Sequence, residues 1–93
     1  MFFEVSYDEF EEAVELLGLI GLESKEMVRE RYLKLSKELH PDMPNGDTQK
    51  FQKLNKSYKL ISKYMDQFRF KFSREEFRDQ YPFSFNSGKE WLK

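Results

Sequence analysis

The chain has 93 residues, of which 35% are charged, and its 16 basic and 17 acidic side chains leave a net charge of −1. This length predicts one domain with a single modest core, and the near-neutral balance disfavours general nucleic-acid binding. One histidine and no cysteine exclude disulfides and thiolate metal sites, and we expect no cofactor. No apolar run reaches the ~18 residues of a membrane span and no signal peptide is visible, so we expect a cytoplasmic protein.

The first predicted helix begins after Ser6, which forms a capping box with Glu9. Gly18 is a suitable C-terminal cap. The pattern predicts a helix from Tyr7 to Leu17, and the apolar residues of the linker at 19–23 are expected to pack onto the core. The apolar positions of this helix recur on one face: Phe10, Ala13, Val14 and Leu17.

A second helix is predicted from its cap at Ser24 to Leu39. Leu33 falls among polar residues, where packing does not explain it. It could contact a partner, or the C-terminal aromatic residues could cover it. We slightly favour the second interpretation. One narrow face is apolar: Val28, Tyr32, Leu35 and Leu39. Basic residues lie off that face: Arg29, Arg31, Lys34 and Lys37.

The segment 39–46 separates this helix from the next. Pro41 disfavours helical backbone at His40, and Pro44 restricts Met43 in the same way. Asn45 and Gly46 are residues that tolerate positive φ. We therefore expect a stiff loop that presents an imidazole and the carboxylate of Asp42, and we interpret this loop as a contact site.

The third helix is predicted to begin after a cap at Asp47 or Thr48. The loop of about seven residues suits antiparallel neighbours, so the second and third helices should form a hairpin, with the first helix crossing the seam. The fold class is therefore all-α. The apolar stripe of the third helix spans an arc of about 80°: Phe51, Leu54, Tyr58, Ile61 and Met65.

The C-terminal part is rich in aromatic residues, with nine of the sixteen in the chain from Tyr64 onward. The segment 68–72 alternates with period two, which favours extended chain, and Ser73 with Glu76 predicts a second capping box and a short helix that ends before Pro82. We predict a unit at 1–67 and an extension at 68–93 packed on the same domain. The residues expected to fold back against the hairpin, covering Leu33, are Phe72, Phe77 and Trp91.

The residues His40, Pro41 and Asp42, between these two helices, resemble the His-Pro-Asp marker of the J-domain (DnaJ-like) family of co-chaperones. The closing Leu17-Gly18 of the first helix is also similar to that family. The resemblance runs from about residue 6 to residue 62. The third helix matches the family in four residues in order: Phe51, Leu54, Asn55 and Tyr58.

The resemblance implies an antiparallel hairpin with the marker at its tip, and a protein that docks on a DnaK-type (heat shock protein 70 family) chaperone and stimulates its ATP hydrolysis. Asp42 would accept a charge-assisted hydrogen bond from an arginine of the chaperone. Pro41 would hold the shape of the loop, and His40 would orient it or contact the partner. The basic side of the second helix would steer association: Arg29, Lys34 and Lys37. Such a protein has no active site, is expected to be a monomer, and takes client polypeptides as further partners.

The chain departs from the family pattern where other members usually carry an aromatic or basic residue. These positions are Leu33, Glu38, Leu39 and Met43. The second helix therefore carries fewer basic residues than is usual in the family, which affects the expected affinity for a chaperone and the choice of chaperone.

Two other classes of function are compatible with single features of the sequence. A basic helical module could bind nucleic acid through the lysines of the third helix, and its binding would weaken steeply with salt, but the acidic first helix opposes it. An enzyme could use His40 and Asp42 as an acid and base. These residues lack a nucleophile, a metal or a glycine-rich cradle in support, so we expect no enzyme.

Overall fold

The structure is a computed structural model that describes residues 5–83, and all regular elements in this range are helices. The all-α prediction is confirmed, α1 and α2 have the predicted bounds, and α3 begins after its cap at Asp47 as predicted. Within the described range, no helix combines the length and the apolar character needed to cross a bilayer. The elements are α1 (Tyr7–Leu17), α2 (Lys25–Leu39), α3 (Thr48–Asp66) and α4 (Arg74–Gln80).

Each helix begins at a residue whose side-chain oxygen accepts a hydrogen bond from an amide of the first turn, which satisfies a donor that the helix itself leaves free. The Ser6 and Glu9 capping box is present as predicted. Gly18 ends α1 in the left-handed region at φ 68°, where a glycine avoids the cost of a side chain. The four capping residues are Ser6, Ser24, Asp47 and Ser73.

The core lies along α3, which packs against both α1 and α2, while α1 and α2 touch each other less. Leu17 and Leu54 are fully buried, and no polar side chain among the described residues is buried. The apolar stripes of α2 and α3 face each other, so the predicted hairpin is confirmed. The buried core comprises Ala13, Leu17, Val28, Leu54 and Ile61.

Polar contacts fix the register of the hairpin. The Tyr32 hydroxyl donates to Oδ1 of Asn55 at 2.7 Å, and the Tyr32 ring stacks on Tyr58 with centroids 4.1 Å apart. At the opposite end of the hairpin, Lys25 pairs with Asp66. Two contacts at the middle of the hairpin and one at the end remote from the loop hold the helices side by side.

The linker between α1 and α2 differs in part from the prediction. Leu19 packs against the core as expected, but Ile20 and Leu22 are 90% and 79% exposed. The Glu23 carboxylate accepts the amides of Ile20 and Gly21 at 2.7 and 2.8 Å, and these hydrogen bonds hold the pKa of Glu23 below its ordinary value of 4.5. The backbone bonding therefore sets the turn, and the aliphatic side chains of Ile20 and Leu22 point outward.

In the described part of the extension, residues 68–83, the helix α4 does not pack against the hairpin. No Cα of α4 lies within 8 Å of a Cα of the other helices, Phe72 is 89% exposed, and Leu33 is 42% exposed. The Ser73 cap forms, but the Glu76 carboxylate accepts the amides of Lys71 and Phe72 instead of completing a capping box.

The predicted contact of Phe72 and Phe77 with the hairpin is therefore corrected for the described residues: Phe77 is 49% exposed on α4, which stands apart from the hairpin. Trp91 lies outside the described residues. Whether 68–93 belongs to the same cooperative domain as 1–67 stays a prediction. The aromatic rings of the segment contact their neighbours in sequence instead, through the pairs Tyr64–Phe68, Phe68–Phe70 and Phe70–Phe72.

Replacing Phe72 by alanine tests this arrangement. Because the ring is exposed, we expect Phe72→Ala to change the free energy of unfolding by no more than about 0.5 kcal/mol, measured by urea denaturation. Phe10→Ala is the matched control, since Phe10 packs against the core with its ring 4.7 Å from that of Tyr64, and it should cost clearly more. A loss of ~3–5 kcal/mol for Phe72→Ala, the cost in a packed core, would instead support the folded-back extension.

Candidate functional site

The loop between α2 and α3 is closed by three backbone hydrogen bonds. The Met43 amide donates to the His40 carbonyl at 2.9 Å, and the Gly46 amide donates to the Met43 carbonyl at 2.9 Å. The Asp47 amide then reaches the Leu39 carbonyl at 3.0 Å, which joins the start of α3 to the end of α2. The loop is therefore an ordered connection with two successive turns, as its two prolines predict.

His40 ends α2 with φ −55° and ψ 137°, the extended conformation that a following proline favours. Its side chain is 48% exposed, and its ring meets the ring of Phe51 edge-on at 5.3 Å. The Asp42 amide donates to Nδ1 at 3.1 Å. Since Nδ1 accepts, the neutral imidazole carries its proton on Nε2, the ring atom that is left to donate to a partner.

Asp42 is the most exposed charged group of the loop, with its side chain 90% exposed. Its Oδ2 lies 3.7 Å from Nδ1 of His40, and no residue of the described chain donates a hydrogen bond to the carboxylate. The carboxylate is held near the imidazole by the short backbone link and faces solvent. It is therefore available to a cation of another molecule.

Neither Asn45 nor Gly46 adopts positive φ in the loop, although both residue types tolerate it. The glycine is required for space instead, because its Cα lies against the His40 carbonyl. The sequence shows a glycine at position 46, but it does not show which atoms this glycine contacts. The close approach to His40 could therefore not be predicted.

The three basic residues predicted to contact a partner, Arg29, Lys34 and Lys37, are all exposed on α2. Leu33 is exposed among them, one helical turn from Arg29 and from Lys37. The C-terminal residues that the structure describes do not cover it. The three bases and Leu33 are therefore exposed on the helix that leads to His40.

Arg31 has a structural role that sequence analysis missed. Its guanidinium donates to the carbonyls of Leu17 and Gly18, and so it satisfies the C-terminal end of α1. A basic residue near a helix end is a usual partner for free carbonyls, but here it comes from another helix. The sequence gives no sign of that pairing.

A groove of about 510 Å³ lies between α1 and α3, and it is not lined by loop residues. Among the described residues, no group of three histidine or acidic side chains could hold a metal ion. The groove is lined by Glu9, Glu12, Glu15, Leu16, Lys53, Lys56, Ser57 and Leu60.

Fold and loop together define a class of protein: a small helical module whose hairpin presents a charged loop at its tip. A family model described as DnaJ domain matches residues 12–67, more than half of the chain. The chain belongs to the DnaJ-domain (J-domain) family. Members of this family in general work with a chaperone of the heat shock protein 70 type and are generally not enzymes themselves. No curated protein and no solved structure matches the chain.

Proposed function

We propose that this protein is a co-chaperone that docks on a DnaK-type chaperone through its His-Pro-Asp loop and stimulates ATP hydrolysis by that chaperone. One observation carries the proposal: the Asp42 carboxylate is 90% exposed in a hydrogen-bonded loop of a J-domain. A free carboxylate on a pre-organised loop can accept a charge-assisted hydrogen bond without first giving up an internal partner.

Each residue of the surface has a part in this proposal. Asp42 accepts from an arginine of the chaperone, Pro41 restricts the loop, and His40 orients it and offers Nε2 as a donor. The bases of α2 steer the module toward an acidic surface. The exposure of Leu33 supports its interpretation as a partner contact, because the described part of the extension leaves it open.

The setting of this activity is also part of the proposal. We place the protein in the cytoplasm, in keeping with its cysteine-free sequence. Client polypeptides are further partners, since the chaperone's turnover is coupled to them, and the protein acts as a monomer.

The test is a measurement of ATP turnover by a purified DnaK-type chaperone, with and without this protein, in the presence of a client peptide. We expect turnover to rise with the concentration of the protein and to saturate. The protein alone should hydrolyse no ATP. Absence of stimulation across a panel of DnaK-type chaperones would contradict the proposal, and salt-sensitive nucleic-acid binding in its place would support the alternative module.

Reversing the charge of Lys34 tests electrostatic steering. Raising the ionic strength shortens the Debye length from ~10 Å at 0.1 M to ~3 Å at 1 M, so stimulation by sub-saturating protein should fall as salt is added. We expect Lys34→Glu to reduce both the stimulation and its dependence on salt.

Lys59→Glu is the control, because it makes the same charge change at an exposed position of α3. It should behave like the unmodified protein. If Lys34→Glu and Lys59→Glu have equal effects, only the net charge matters and the basic side of α2 is not a steering surface.

A further inference from the structure

Gly46 lies against the backbone of the residue that opens the docking loop. A Cβ atom at position 46 would lie 1.9 Å from the His40 carbonyl oxygen, 2.8 Å from the carbonyl carbon and 3.0 Å from the Met43 oxygen. No real Cβ makes a contact as short as the first of these. The obstacle is backbone and not the end of a flexible side chain, so the side chain could be accommodated only if the loop itself moved.

The hydrogen bonds of the loop meet at the same place. The His40 carbonyl accepts from the Met43 amide, and the Gly46 amide donates to the Met43 carbonyl. The contact with Gly46 therefore involves two of the three carbonyl groups that accept the hydrogen bonds closing the loop. The His40 carbonyl belongs to the peptide bond that leads into Pro41, so a shift of this carbonyl rotates the backbone that carries Asp42.

We propose that Gly46 is a positioning residue for the docking loop: its missing side chain allows the close approach that sets the direction of the Asp42 carboxylate. This inference rests on the proposed function for its biological consequence. Gly46 acts through its contacts with the His40 carbonyl and thereby on the position of Asp42.

The geometry sets the size of the effect. Lengthening a contact of 1.9 Å to an ordinary van der Waals distance requires the backbone to move by more than about 1 Å. The residues of a binding site tolerate a displacement of only about 0.5 Å. A misplacement of about 1 Å can cost up to ~100-fold in activity. We therefore expect the stimulation of chaperone turnover to fall by about tenfold or more.

The experiment compares Gly46→Ala with Gly21→Ala in the full chain. Gly21 is also a loop glycine, but a Cβ there would meet nothing within 4 Å, although its φ of 114° makes the substitution strained. Both variants should melt somewhat below the parent protein, since both perturb a loop. We expect Gly46→Ala alone to lose stimulation, and Gly21→Ala to retain nearly all of it.

A second measurement separates positioning from mere destabilisation. In nuclear magnetic resonance spectra, Gly46→Ala should shift the amides of Asp42 and Asp47 and the Nδ1 signal of His40, whereas Gly21→Ala should leave them in place. Full stimulation by Gly46→Ala, or unchanged signals in the loop, would overturn the inference. If the parent protein stimulates no chaperone, the proposed function fails, but these spectra still decide whether Gly46 sets the loop.

Discussion

Asp42→Asn should remove most of the stimulation of chaperone ATPase and leave the fold intact. The substitution keeps the volume of the side chain but removes its charge, and a hydrogen bond to a charged group contributes about 1.5–3 kcal/mol. That loss corresponds to roughly a 10- to 150-fold reduction in affinity. Because the Asp42 side chain is 90% exposed and accepts no hydrogen bond from the described residues, circular dichroism and melting should stay nearly unchanged.

Asp79→Asn provides the control, since it removes one exposed carboxylate from α4, which is not part of the docking loop. It should stimulate turnover as well as the parent protein does. A folded Asp42→Asn variant that stimulates normally would show that docking does not depend on this carboxylate.

Leu54→Ala should cause a large loss of stability. Leu54 is fully buried on α3, the helix that packs against both α1 and α2. Replacing a buried leucine by alanine costs about 2–5 kcal/mol, against a total stability of about 5–15 kcal/mol for a typical domain. We expect the melting temperature to fall by roughly 10 °C or more, as measured by circular dichroism.

The same substitution at Leu33 serves as the reference, because Leu33 is 42% exposed on α2. Leu33→Ala should change the stability by no more than about 0.5 kcal/mol. Equal losses at the two positions would mean that α3 does not form the centre of the core.

The helices were predictable because their signals are local. Ser6, Ser24 and Asp47 cap helices whose apolar positions recur with a helical period, and both features are contained within a few neighbouring residues. The hairpin followed from the short loop and two matching stripes. The exposed loop was predictable as well, since Pro41 restricts His40 whatever the rest of the chain does.

The exposed turns and the contact between α1 and α2 could not be predicted from the sequence. They depend on groups that are distant along the chain or that compete for the same hydrogen-bond partner. Glu23 and Glu76 each accept two backbone amides, and these bonds fix turns that expose Ile20 and Phe72. Arg31 reaches the end of another helix. Each of these three side chains could form hydrogen bonds with several groups in the chain, and the folded backbone determines which group it contacts.

The antiparallel course of α2 and α3 has a geometric consequence. Nineteen residues of α3 at a rise of about 1.5 Å give a rod of about 28 Å between the docking loop and the end of the helix. The chain after Asp66 therefore leaves the hairpin at the end remote from His40. A fluorescent label or a tethering group placed at the end of α3 would lie about 28 Å from the docking loop, so the encounter could be observed without obstructing it.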